Sequence, residues 1–313
     1  MGDIKVTLML ISYNQEDFIV EACLSALNQN SMPIEIILSD DCSTDSTYSL
    51  MEKVVSDYKG PHAVKLRKNE SNLGLVAHIN KVVSLCSGEY IVYAAGDDIS
   101  VPDRVQRTMA LFDNSDNHPL IVHSGVLEID GAGRHLGYVD PPIIKDALGG
   151  DDFLSRYALI IGASCAWHRS LWSVFGELKY PALYEDLVMA ARAYMLAGEG
   201  AFAFSQVPLV EYRVGFGISQ GGRNKPKSRD ERQKFELKNL LVRDDVCRQR
   251  MDDAETLQLD AAKRLLKKAQ LKNSMARLVY EKNATWLEIF VFAVRHGVVM
   301  VMLSAIWRRV KVL

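Results

Sequence analysis

In the N-terminal part of the chain, apolar residues fall into short unbroken runs separated by segments of helical spacing. Lys5–Ser12 (KVTLMLIS), Ile34–Leu38 (IEIIL) and Tyr90–Ala94 (YIVYA) are rich in β-branched and aromatic side chains and predict strands covered on both faces, with a shorter strand over Ala63–Leu66. Between them the spacing predicts helices over Asp17–Asn28, Ser46–Tyr58 and Gly74–Leu85, and a further helix opening at Val101-Pro102-Asp103. This alternation builds βαβ units and a mostly parallel sheet. In such a sheet, ligands sit beyond the carboxyl ends of the strands. The residues just past those ends are Tyr13-Asn14, Asp40-Asp41 and Asp97-Asp98, so one edge collects an aromatic ring and four carboxylates.

From about residue 120 the pattern loosens. Leu120–His123 and Val126–Ile129 predict strands leading into the turn Asp130-Gly131-Ala132-Gly133, a helix is expected near Tyr184–Leu196, and Leu209–Val214 predicts a strand. Gly215–Lys227 (GFGISQGGRNKPK) reads as a loop or boundary, and 229–282 as long charged helices. The expected division is an α/β domain over 1–220 and a helical region over 221–313.

The chain has 313 residues, 48% hydrophobic and 24% charged, which is ordinary globular composition. Charge placement adds more. Residues 221–313 hold 21 Lys and Arg against 11 Asp and Glu, whereas 1–220 hold 16 against 28. The front repels anions unless a cation intervenes, and the back suits phosphates or an anionic membrane surface. Five scattered cysteines (Cys23, Cys42, Cys86, Cys165, Cys247) without C-x-x-C spacing argue against a disulfide framework or structural zinc, and fit a reducing compartment. The N-terminus runs directly into strand-like sequence, so no signal peptide is expected.

Trp286–Trp307 is nearly all apolar but contains Glu288, Arg295 and His296. Spanning a bilayer would place Arg295 near its centre at a cost of ~2.5–3.5 kcal/mol. Lying in the interface, as one helix over 286–310, places Arg308, Arg309 and Lys311 on headgroups at ~1 kcal/mol each. Packing onto the domain or onto another subunit is the third reading. Aromatic residues are not interleaved with the basic ones in 229–282, which makes nucleic acid a poor partner.

The acid pair Asp97-Asp98 closes an apolar run. If extended geometry persists past the strand, the two side chains diverge: one accepts a sugar hydroxyl while the other ligates Mg²⁺ or Mn²⁺, which also bind substrate phosphates. Gly-Asp-Asp is equally ordinary turn chemistry. Tyr13 could stack on a nucleobase or be a plain surface aromatic. There is no G-x-G-x-x-G and no P-loop, which disfavours a dinucleotide or a P-loop nucleotide site.

Ile11-Ser12-Tyr13-Asn14-Gln15-Glu16, Ile36–Asp45 (IILSDDCSTD), Asn72-Leu73-Gly74 with Asn80, and Ser87-Gly88-Glu89-Tyr90-Ile91 running into Asp97-Asp98 together resemble the family-2 glycosyltransferases of the GT-A fold, in particular bacterial members that build surface polysaccharides, over roughly residues 4–215. The resemblance implies an α/β fold: a Rossmann-like, nucleotide-sugar-binding mixed sheet flanked by helices, with a helical C-terminal extension. It places nucleotide-sugar binding in 1–115 and acceptor binding in 116–220. It implies that Tyr13 stacks on the base, Asp41 bonds it, Ser12 and Glu16 lie along the nucleoside, Asp97 contacts ribose or sugar, and Asp98 binds Mn²⁺ or Mg²⁺. The family's later Glu-Asp pair matches Glu185-Asp186, with Asp186 as catalytic base; a helix-start pair of acids otherwise simply complements the helix dipole.

The implied activity is inverting transfer of one sugar from a nucleotide-diphospho-sugar to a hydroxyl of a glycan or polyprenyl-diphosphate-linked acceptor. It would take place on the cytoplasmic side, at the inner face of the membrane, with peripheral membrane contact through the C-terminal helix; a homo-oligomer is allowed. The Gln-x-x-Arg-Trp motif and the membrane spans of processive members are missing, favouring single transfers. Where many relatives place a His after Glu211-Tyr212-Arg213, this chain has Val214-Gly215-Phe216, so diphosphate contact is assigned to Arg213, Ser219 or Arg223. Glu185, Trp167 and His168 are candidates to line the acceptor site, the last two being also readable as a buried aromatic and a satisfied histidine. Two other readings are a nucleotidyltransferase making sugar nucleotides, which would want a basic Gly-rich loop that Ser12–Asp17 does not supply, and a non-catalytic nucleotide-sugar-binding protein.

Overall fold

The structure is a computed structural model and describes residues 5–114, 117–141, 153–156, 160–216, 228–280 and 285–312. Its strands are β1 (Val6–Ser12), β2 (Glu35–Asp40), β3 (Ala63–Lys68), β4 (Tyr90–Ala95), β5 (Ile99–Ser100), β6 (Ile121–Ser124), β7 (Val126–Ile129), β8 (His135–Val139), β9 (Ala166–His168), β10 (Phe202–Ser205) and β11 (Val210–Arg213). Seven of them form the main sheet in the order β10-β6-β9-β4-β1-β2-β3. All pair in parallel except β9, which runs antiparallel to both β4 and β6 and makes the sheet mixed. A second sheet, β5-β11-β7-β8, carries the strand nearest the acid pair. The sequence pattern does not predict β5, β8, β9 or β10; β5 and β9, at two and three residues, are too short for alternation to register.

Between the strands lie α1 (Ile19–Leu27), α2 (Thr47–Asp57), α3 (Leu75–Val83), α4 (Arg104–Asn114), α5 (Ser170–Phe175) and α6 (Glu185–Ala197). Every residue of β1 and β2 is buried, as expected for strands covered on both faces. Val6, Leu8 and Leu10 of β1 join Ile36 and Leu38 of β2 in one cluster with Ile19 and Cys23 of α1 and Met51 of α2. Truncating Leu8 to Ala in this cluster would cost about 2–5 kcal/mol.

The chain divides into two compact units: Met1–Leu148, Ala158–Pro181 and Glu185–Gly217 in one, and Gly149–Tyr157, Ala182–Tyr184 and Ile218–Leu313 in the other. The second unit contains α7 (Arg229–Thr256), α8 (Asp260–Tyr280), α9 (Trp286–Arg295) and α10 (Val299–Val312). The single C-terminal helix expected over 286–310 is therefore two. Gly297, in the left-handed region at φ 65°, ends α9 after His296, and Val298 N–H reaches back to Ala293. Among the described residues no helix is long and apolar enough to cross a membrane, so the spanning reading of this segment is not supported.

Candidate active site

Sheet register builds the site edge. Ser12 pairs with Asp40, and Ile11 with Ala95, which puts the ends of β1, β2 and β4 at one level. Backbone bonds continue past the strands: Asp41 N–H donates to Ser12, and Gly96 N–H to Ile11. Only glycine fits at 96, because a Cβ there would lie 2.4 Å from Gln15 Oε1 and 2.8 Å from Ser12 Cβ. The loops after β1 and β2 are laced together. Asn14 Oδ1 accepts Thr44 N–H, Ser43 Oγ accepts Asn14 N–H, and Glu16 Oε2 accepts Ser46 N–H at the start of α2. Asn14 sits in the left-handed region at φ 51°, which its short amide tolerates.

On this edge Tyr13 is exposed and Ser12 is buried, its hydroxyl against Ser39 O and Met51 Sδ. Asp41 is buried and takes three hydrogen bonds: Asn69 Nδ2 and Leu73 N–H on Oδ1, and Gly74 N–H on Oδ2. It thereby draws the loop before α3 to the strand edge and keeps one lone pair on Oδ2 for a further donor. Behind it, Arg67 bonds Ser39 Oγ and Asn69 Oδ1, and His78 Nε2 meets Ser39 Oγ at 2.6 Å. Burial pushes His78 down to about 4, so it is neutral at pH 7.

The acid pair departs from the extended geometry expected of it. The chain turns at Gly96-Asp97, with Asp98 N–H on Ala95 O. The two carboxylates still take different partners. Asp98 Oδ1 accepts the backbone N–H of Arg213 at 2.8 Å, while Asp97 is met by the Gln15 side chain. Both are buried. Burial raises both above the usual carboxylate range, Asp98 far above it, and Asp97's charge adds to the rise at Asp98.

A second pair of acids converges on the same place from α6. Glu185 is buried and is pushed up to about 8 by burial and by Asp186. Asp186 is half-buried and its Oδ1 accepts Leu187 N–H. Tyr93 on β4 joins the groups: it is buried, and after burial the causes raising its pKa are the charges of Glu185, Asp97, Asp186 and Asp98. Below them, Arg104 of α4 is fully buried; it donates to the carbonyls of Tyr93 and Ala163 and to Ser100 Oγ, and feels the charge of Asp98. It therefore ties the strand bearing Asp97-Asp98 to the turn that touches Glu185-Asp186.

Two sequence assignments do not survive placement. Arg213 is buried with its guanidinium committed to Asp97 O, Asp130 O and Glu21 Oε2, and it stacks over the Phe18 ring at 4.4 Å. It is a staple and has no guanidinium face for a diphosphate. Trp167 has no exposed surface; it packs between Tyr93 and Trp172 and lines no acceptor cleft. His168 is satisfied by Ser170 Oγ and Glu89 Oε1. Ser219 and Arg223 lie outside the described residues. The residues missed from sequence are Gln15, Tyr93 and Arg104: a polar loop residue, an aromatic within an apolar run and a helical charge, none carrying a distinguishing signal.

The donor set suits a hard divalent cation. Among the described residues no cluster of three or more His, Cys, Asp or Glu side chains could cage a metal. Mg²⁺ and Mn²⁺ need no cage, since one or two carboxylates suffice when waters and substrate phosphates complete the shell. Asp98 has one oxygen spent on Arg213 N–H and another left, in a buried spot beside the like charge of Asp97.

A family model described as "Glycosyl transferase family 2" matches residues 7–140. The chain is 33% identical over 129 residues to the "Putative glycosyltransferase EpsE" of Bacillus subtilis (strain 168), covering 41% of this chain and 45% of that protein. It is 29% identical over 126 residues to the "Succinoglycan biosynthesis protein ExoO" of Rhizobium meliloti (strain 1021), covering 40% and 35%. It thus spans less than half the length of either relative. Among solved structures, S. aureus TarS in complex with UDP-GlcNAc matches with a TM-score of 0.59 at 15% identity over 97% of this chain and 89% of that one. Mannosyltransferase PcManGT from Pyrobaculum calidifontis, in complex with GDP-Man and Mn²⁺, matches with a TM-score of 0.51 at 13% identity over 98% and 87%. At these identities the likeness shows the fold alone, which is GT-A.

Proposed function

We propose that this chain, whose residues 7–140 belong to glycosyl transferase family 2, moves one sugar from a nucleotide-diphospho-sugar to a hydroxyl of a glycan or polyprenyl-diphosphate-linked acceptor, with inversion. The setting we propose is bacterial surface-polysaccharide synthesis at the inner face of the cytoplasmic membrane. The observation that carries the reading is the convergence of Asp97-Asp98 and Glu185-Asp186 around Tyr93, at the carboxyl end of the sheet. The name of the relative from Rhizobium and the nucleotide sugars in the two solved complexes support the substrate class.

In this reading the exposed ring of Tyr13 stacks on the base and the remaining lone pair of Asp41 Oδ2 accepts from it. Ser12 and Glu16 border the nucleoside, and Asp97 takes a ribose or sugar hydroxyl. Asp98, with Asp97 beside it, would hold Mn²⁺ or Mg²⁺, which offsets the charge of the diphosphate as it leaves. Asp186 is the base. Its carboxylate takes the acceptor hydroxyl's proton while that oxygen bonds the anomeric carbon and the sugar–diphosphate bond breaks, its electron pair leaving with the diphosphate. Glu185, protonated below about pH 8, removes the like charge that would oppose an ionised Asp186.

Thermal shift against a panel of uridine, thymidine and guanosine diphospho-sugars, with and without Mn²⁺, tests the binding step. A bound donor at ~1,000-fold its dissociation constant adds about 4 kcal/mol. Asp186→Asn should keep that shift and lose transfer, read as nucleoside diphosphate released in the presence of acceptor. No shift with any donor, or near-normal turnover by Asp186→Asn, overturns the assignment.

A further inference from the structure

The C-terminal helices carry an apolar surface that the transfer site does not use. In α9, Ile289 and Ala293 turn inward, and in α10 Val298, Met302 and Ala305 do the same; all join Met275 and Val279 of α8 in one cluster. Both outer faces therefore look away from the same helix. On α9 the outer face is Trp286, Leu287, Phe290, Val291 and Val294, the i, i+1, i+4, i+5, i+8 stripe, each at least half exposed. On α10 it is Met300, Leu303 and Trp307, with Met300 76% exposed. An apolar face of this extent on a folded chain calls for an occupant.

Three features favour lipid over protein. The face has few groups with which to make the roughly one hydrogen bond per 100–200 Å² of a protein interface. Glu288 is spent on the capping box with Thr285, and Arg295 and His296 stand at the break between the helices. Tryptophans mark its two sequence ends, Trp286 and Trp307, the residue type favoured at the headgroup level. The last turns of α10 carry Arg308, Arg309 and Lys311, within a 221–313 region of 21 basic and 11 acidic residues, which complements an anionic leaflet. Length fixes the mode. At ~1.5 Å per residue, neither the 10 residues of α9 nor the 14 of α10 reach across a ~30 Å hydrocarbon core.

We propose that the outer faces of α9 and α10 lie in the plane of an anionic membrane, as a two-helix peripheral anchor with their apolar stripes in the acyl boundary. The proposal stands apart from the transfer reaction, because docking is measured without donor or acceptor.

The test is flotation of the full chain with vesicles of phosphatidylglycerol mixed with phosphatidylcholine, and of phosphatidylcholine alone. Binding should favour the anionic vesicles, weaken with salt, and shift tryptophan emission to the blue. The triple variant Leu287→Ser, Phe290→Ser, Leu303→Ser should keep the wild-type melting temperature, since all three side chains are exposed, and lose at least ~100-fold in partition at roughly tenfold per side chain. Met300→Ser with Trp307→Ser supplies an independent variant should the first fail to fold. Vesicle binding unchanged in a folded variant overturns the proposal. So does sedimentation showing that wild type is a dimer which these substitutions dissociate while vesicles are ignored, because the occupant is then a second copy.

Discussion

Asp98 Oδ1 and the backbone N–H of Arg213 are joined at 2.8 Å, which fixes the acid pair to β11 of the second sheet. The bond spends one carboxylate oxygen and orients the other. The Arg213 side chain closes the same knot by bonding Asp97 O. A backbone donor cannot be lost by side-chain mutation, so Asp98 can be altered with its anchor left in place. In Asp98→Asn the amide oxygen still accepts Arg213 N–H while the charge is removed. We expect a folded protein whose donor affinity in Mn²⁺ falls at least ~100-fold, the scale of losing one charged, metal-bound contact. Calorimetric titration reads this directly, and wild-type affinity in Mn²⁺ would remove Asp98 from the metal role.

Glu185 gives the protein a definite pH signature. Its folded pKa of about 8 lies above the ordinary 4.5, so the folded state holds a proton that the unfolded state has lost. Such a group stabilises the fold fully below pH 4.5, and the contribution drains away as pH rises to about 8. Glu185→Gln mimics the protonated form at every pH. Between about pH 5 and pH 9 wild type should lose a few kcal/mol more stability than this variant, measured by urea unfolding. The difference isolates Glu185, since all other groups titrate in both proteins. Parallel curves for the two would mean that Glu185 ionises freely.

The placement of the proposed donor residues on one edge is legible in the sequence because strand ends are. Ser12, Asp41, Asp97 and Asp98 each follow an apolar run, and a parallel sheet brings such positions together whatever the intervening lengths. The convergence of Asp186 on that edge is not legible from spacing; only the family resemblance pairs α6 with β4. Arg213 and Trp167 show the limit from the other side. Residue type suggests a diphosphate clamp and an aromatic platform, but whether a guanidinium or a ring is already committed depends on neighbours distant in sequence: Glu21 for Arg213, Tyr93 for Trp167. Tyr93 and Arg104 hide for the same reason, reading as one more apolar position and one more solvated helix charge. The break at Gly297 was visible as a glycine but is outweighed by the apolar residues on either side.

Cys42 follows the Asp40-Asp41 pair in the left-handed region, φ 62°. A residue with a Cβ is held there at a cost of about 1–3 kcal/mol, and its thiol gains only a long contact with Glu70 O at 3.6 Å. Cys42→Gly relieves the strain, partly offset by the larger backbone freedom of glycine in the unfolded chain. The expected outcome is a gain of about 0.5–1 kcal/mol in chemical denaturation. Cys42→Val, β-branched in the same conformation, should lose about 1–2 kcal/mol. A ranking with Val above Gly would mean that the loop relaxes out of this conformation at little cost.

Gly162 offers a way to move the proposed base, Asp186, without touching it. It opens the turn Gly162–Ser164, and a Cβ at this position would lie 2.8 Å from Glu185 Oε1 and 3.1 Å from Asp186 Cβ. Glu185 meets the methyl with the end of a flexible side chain, but the Cβ of Asp186 moves only with the backbone of α6. Gly162→Ala therefore displaces the start of α6 by a few tenths of an ångström or more. Tyr13 and Asp41 belong to other loops, and Asp98 is held from the other side by Arg213 N–H of β11, so the donor edge is buffered even though Arg104 bridges this turn to β4. Because a misplacement of about 1 Å costs a catalytic group on the order of 100-fold, kcat should fall roughly 10- to 100-fold while donor affinity in Mn²⁺ is unchanged. Steady-state transfer kinetics paired with donor titration separate the two effects. Equal loss of both would place the turn against the donor rather than the base, and loss of neither would mean that α6 absorbs the methyl group without shifting Asp186.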